Sequence, residues 1–169
     1  MSKTIVISAF NLVEAGPLAI LKQCLACLSV LAQSGDYRVI ALVYKRSLAD
    51  FPHIEYIETQ WPKKRWVNRL WYEYVSMRSI SKEIGPVYLW FSLHDTSPSV
   101  IAERRAVYCH NAFPFYRWKA HDLFFAPKIA LLALFSTYIY KPNIRRNNYL
   151  VVQQHWLRKA FHRLFAVPA

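Results

Sequence analysis

Glycine is scarce: three residues in 169 leave no room for a GxGxxG turn or a Walker loop, so neither glycine-rich phosphate cradle is present. Cysteine is almost as scarce. Cys24, Cys27 and Cys109 stand in apolar surroundings, and the opening MSKTIVIS has neither the length of a leader's apolar core nor a small-residue cleavage pattern. A reducing, cytoplasmic setting is therefore expected, not a disulfide framework. Cys24 and Cys27 match C-x-x-C, but they fall in mid-helix, not at a helix start, and no second pair completes a zinc site. Packing is their expected role, and no metal is expected. A continuous apolar run long enough to span a bilayer is also lacking. Residues 123–140 come nearest, but Pro127 and Lys128 interrupt them, and a span needs about 20 apolar residues. There are no internal repeats and no low-complexity tracts.

Acidic residues are few as well, 10 against 22 Lys and Arg. Residues 1–60 hold five of each sign, so the whole net charge of +12 belongs to residues 61–169. A balance of that kind favours phosphate groups, whether of nucleic acid, anionic lipid or an activated nucleotide substrate. Residues 61–69, WPKKRWVNR, mix basic and aromatic side chains, yet no nucleic-acid-binding motif accompanies them. A solvated or membrane-facing surface is the expected use, and nucleic acid is not an expected partner. With 54% hydrophobic residues the chain has the apolar content for one domain with a proper core.

The periodicities alternate. TIVIS (residues 4–8), RVIALV (38–43) and IEYI (54–57) read as strands, as do VYLWF (87–91), AVYC (106–109) and YLVV (149–152). Short apolar runs without alternation suit strands buried on both faces, the habit of parallel sheets. Between them, Leu18, Leu21, Cys24, Leu25, Leu28 and Leu31 keep a helical period that Gly35 ends. A second helix runs to about Ile84 before Gly85-Pro86, a third over 121–140 and a fourth over 154–165. Strands alternating with helices predict an α/β fold, a doubly wound and mostly parallel sheet in a single domain. The helix at 121–140 is expected to lie in the core or, with Lys141, Arg145 and Arg146 after it, against an anionic bilayer, a true span being the remaining alternative.

In such sheets ligands bind beyond the carboxyl ends of the strands. His94-Asp95 follows the strand at 87–91, and His110-Asn111 follows the strand at 106–109. A histidine there can act as acid, base or donor, and an aspartate can accept a hydroxyl or orient the ring. The plainer alternative, an Asx turn through Asp95-Thr96-Ser97-Pro98, stays open. The first loop, ending at Ala15-Gly16, meets a helix start, where backbone N–H groups favour anions. Gln153-Gln154 could line the same cleft or cap the last helix.

Taken in order, TIVISAFNLVEAGP, LWFSLHDTSP, VYCHNAFPFY and YLVVQQHWLRKAFHRLFAVP resemble the N-terminal domain of GT-B glycosyltransferases, in particular the retaining family 4 type that builds surface polysaccharides. The resemblance implies a Rossmann-like half that binds a glycan or lipid-linked acceptor and faces a second, nucleotide-sugar-binding half across a cleft. By the same resemblance His110 faces the transferred sugar with Asn111 beside it, His94 and Asp95 lie on the acceptor side, and Ala15-Gly16 matches the loop that approaches the donor phosphates. Many members carry two glycines at that loop, where this chain has an alanine. The donor-binding Arg/Lys pair and the Glu-x7-Glu motif of the second half have no counterpart in these 169 residues. The resemblance further implies transfer with retention by front-face attack, which requires no protein nucleophile, and implies no metal or other cofactor, only the nucleotide sugar as substrate. The chain by itself is expected to be inactive, and a peripheral place at the inner face of the membrane fits the acceptor. A non-enzymatic α/β module docking on anionic membrane is the competing expectation.

Overall fold

A computed structural model describes residues 2–116, 119 and 124–167. Strands β1 (Lys3–Ala9), β2 (Tyr37–Val43), β3 (Ile54–Glu58), β4 (Val87–Ser92), β5 (Arg104–Cys109) and β6 (Tyr149–Val152) form one sheet in the order β3-β2-β1-β4-β5-β6. Each pairing is parallel, so the sheet is wholly parallel where a mostly parallel one was expected. The order reverses between β1 and β4. This is the Rossmann-like, doubly wound arrangement.

Register assigns the two faces. Val6 lies beside Ile40 and Trp90, and this row packs with Phe10, Leu42, Tyr72 and Met77. Ile5, Ile7 and Ala9 turn the other way, onto Leu21 and Leu25 of α1 (Ala15–Gln33). By length and composition α1 could cross a membrane, but here its Leu21 and Leu25 are buried against β1–β3 and its buried Ser29 donates to the Pro52 carbonyl. Cys24 shares that packing and Cys109 is fully buried, whereas Cys27 is exposed, against expectation. Two positions past Leu25, at 100° per residue, it points away from the sheet.

The second helix is divided. α2 (Trp66–Trp71) leads into a π-helical turn, Tyr72–Ser76, and then α3 (Met77–Ile84), which Gly85 closes at φ 92° before Pro86. Beyond it, α4 (Pro127–Tyr140) and α5 (His155–Phe165) pack Tyr140, Leu157, Phe161 and Phe165 on Val107 and Cys109. Residues 121–123, expected at the start of the third helix, lie outside the described residues.

One expectation of burial fails. β6 was expected to be enclosed, but only Leu150 and Val152 pack inward, while Tyr149 and Val151 are exposed. It is an edge strand, and α5 covers a single face of it. α4 itself places its small residues Ala130, Ala133 and Ser136 inward and leaves Leu131, Leu134, Phe135 and Tyr138 in the open.

Candidate functional site

The site begins with Asp95. One residue past His94 the backbone of Asp95 turns left-handed, φ 68°, a conformation that aspartate tolerates better than most residues. That turn aims the carboxylate across to the end of β5. Oδ1 accepts the backbone N–H of His110 at 2.8 Å and of Asn111 at 3.1 Å. The Asp95 N–H donates to the Tyr108 carbonyl at 3.2 Å, and Cys109 Sγ approaches the Asp95 carbonyl at 3.5 Å. The Tyr140 hydroxyl also reaches the carboxylate, and burial, then Asp95, push that phenol far up. Asp95 is thus the clip between two strand ends. His110 stacks on Tyr108 with ring centroids 5.7 Å apart, and its Nδ1 stands 3.3 Å from Asp95 Oδ1.

His94, expected on the acceptor side, is enclosed instead, with no exposed surface. Its Nε2 lies 3.0 Å from Ser8 Oγ and 3.1 Å from Ser92 Oγ, and Nδ1 lies 2.9 Å from Thr96 Oγ1. Phe10 packs on its ring at 4.9 Å. A ring with all its edges occupied by protein positions the loop and cannot itself contact a substrate. Beneath it Glu73, also fully buried, comes within 3.3 Å of Nδ1. Burial alone would raise the Glu73 carboxyl. His94 and then Arg69 outweigh that and hold it below the usual carboxylate range.

Arg69 completes the arrangement. Its Nε donates to Glu73 Oε1 at 2.8 Å and its Nη2 to the His94 carbonyl at 3.0 Å, so one guanidinium grips both the buried acid and the loop. A cavity of about 190 Å³ opens between Trp66, Arg69, Asp95, Asn111, Ser136 and Tyr140. The cavity therefore presents a cation, a carboxylate and an amide together, the groups that bind a phosphate or a sugar hydroxyl. His110 does not line it. Sequence reading singled out Asp95 and Asn111 but missed Arg69 and Glu73. Their i, i+4 spacing was the available signal, and the π turn that carries Glu73 is a feature common at functional sites.

Ala15 and Gly16, expected in the first loop, open the first turn of α1, which follows β1, the strand beside the reversal of strand order. Ala15 takes φ 52°, a left-handed conformation better suited to glycine. A Cβ built on Gly16 meets nothing within 4 Å, so the helix start is open above that residue. Gln154 precedes α5 without capping it and accepts instead from Trp156 Nε1. Among the described residues, no group of three His, Cys, Asp or Glu side chains could hold a metal. No protein-family model matches the chain, and no curated protein sequence does.

Proposed function

We propose that this chain is the acceptor-side half of a GT-B-type retaining glycosyltransferase. It would contribute to transfer of a sugar from a nucleotide donor to a glycan or lipid-linked acceptor in surface polysaccharide synthesis. The observation that carries this reading is the polar carboxyl edge of β4 and β5, where Asp95 holds both residues of His110-Asn111 by their backbone. Ligands of open α/β sheets bind at such an edge near the reversal of strand order. In this reading His110, steadied by Asp95 and Tyr108, turns its Nε2 to the transferred sugar. Asp95, Asn111 and Arg69 receive hydroxyls or a phosphate of the acceptor. His94 acts as a positioning residue. Ala15-Gly16 admits the donor phosphates, and the nucleotide is held by a second Rossmann-like unit in the same or an adjacent chain.

A module that merely docks on membrane has no use for Arg69, Glu73 and His94 braced behind an open polar edge, which favours the enzymatic reading. The test is sugar transfer measured with and without a second polypeptide carrying the donor-binding half. The isolated chain should be inactive and the pair active, with His110→Ala lowering kcat/KM in the pair at unchanged circular dichroism. Transfer by the isolated chain, or an unaltered rate in the variant, would count against it.

A further inference from the structure

α4 is built inside out for a helix in water. Among its described positions Ala130, Ala133, Ser136 and Tyr140 are buried, while Leu131, Leu134, Phe135 and Tyr138 are exposed. A helix that is apolar all round belongs in a core or in lipid, and this one lies at the surface with one side covered. The outward side continues onto α2 and the π turn. Leu70 and Tyr74 meet Phe135, Tyr138, Ile139 and Pro142 along an apolar groove of about 320 Å³, and the Tyr74 hydroxyl reaches the Ile139 carbonyl at 3.5 Å. On α2, which supplies Leu70 to the groove, Val67 is 72% and Trp71 59% exposed, and just ahead of α4 in the chain Phe124 and Phe125 are 85% and 86% exposed. Single exposed apolar residues are ordinary, whereas a contiguous aromatic surface marks an interface.

We infer that this α2–α4 face docks on an anionic phospholipid bilayer. Charge selects the occupant. Lys63, Lys64 and Arg65 lead into α2, and Lys141, Arg145 and Arg146 follow α4; residues 124–146 contain no acidic residue, and the one acid in 61–76, Glu73, is fully buried and paired with Arg69. Mixed Trp, Tyr and Phe with a basic border is the composition of a surface seated at the boundary of head groups and acyl chains. A symmetric contact between two copies would bring the same basic rims together, which like-charge repulsion opposes. The polar cavity shares Ile139 with the groove, so a docked chain holds Arg69 and Asp95 near the head groups. The inference stands apart from the sugar-transfer reading.

The test uses the full chain with vesicles of phosphatidylcholine, with and without phosphatidylglycerol. Co-sedimentation should require phosphatidylglycerol and weaken as salt rises. Replacing Leu131 and Phe135 by Ser should lower partitioning about tenfold or more. Brominated acyl chains should quench the intrinsic tryptophan fluorescence, and Trp71→Phe should remove a large part of that quenching while the chain still binds. This readout does not depend on whether the double variant folds. No binding to phosphatidylglycerol vesicles, binding unchanged by the double variant, or quenching unchanged by Trp71→Phe would overturn the inference. So would a dimer in sedimentation equilibrium that buries Trp71 and ignores vesicles, or binding only to an acidic protein.

Discussion

Asp95 and His110 are fifteen residues apart, yet the Asp95 carboxylate accepts the His110 backbone N–H at 2.8 Å. With the Asn111 N–H on the same oxygen, and the Asp95 N–H on the Tyr108 carbonyl, Asp95 ties the end of β5 to the loop after β4. Any use of this edge depends on that tie.

Asp95→Asn keeps an acceptor and tolerates the left-handed backbone but gives up the charge that strengthens both bonds. It should cost about 1–2 kcal/mol in urea unfolding. Asp95→Ala loses the bonds altogether and adds the penalty of alanine at positive φ, about 1–2 kcal/mol more. Equal stability of the two variants would show that the clip contributes little.

Glu73 sets the acid limit. Its folded carboxyl is held down to about 2, against a model-peptide value of 4.5, by His94 and Arg69 acting against burial. Because the folded value is the lower one, the stabilisation is complete above the unfolded carboxyl's range and is lost as pH falls toward the folded value. Glu73→Gln should therefore flatten the loss of urea midpoint between about pH 5 and pH 2. Arg69→Ala strands the buried charge and should cost about 3 kcal/mol at neutral pH. An acid limb identical in Glu73→Gln and the parent would refute the assignment.

Ala15 stands at φ 52° with an open position after it. Ala15→Gly should relieve the strain and raise Tm by about 2–4 °C, the equivalent of roughly 1 kcal/mol in a chain of this size. Gly16→Ala should raise Tm slightly, since its Cβ enters empty space and the unfolded chain loses freedom, and should weaken only a ligand that approaches the helix start. A lower Tm for Ala15→Gly would contradict the strain.

The thiols should separate by exposure. Burial, then Cys27, pushes the Cys24 thiol up to about 11, and burial pushes Cys109 up as well. Iodoacetamide followed by peptide mass analysis should label the exposed Cys27 first. Early labelling of Cys109 would mean that the end of β5 opens readily.

The sequence by itself determined the succession of elements, because strand and helix periods are local. The apolar runs at 87–91 and 149–152 and the stop at Gly85-Pro86 all coincide with structural boundaries to within a residue or so. It also pointed to Asp95, His110 and Asn111, since a polar break after a buried strand is visible along the chain. Only the tertiary structure decided what each does. His94 and Asp95 look alike as neighbours in sequence, but the register of β4 against β1 encloses the first between Ser8 and Ser92, and a left-handed turn sends the second to β5. Arg69 joins the site through contacts with a carbonyl 25 residues away, which no periodicity encodes. The same holds for α4. Its composition announced an apolar helix, but which side faced inward was decided by packing, which buried Ala130, Ala133, Ser136 and Tyr140.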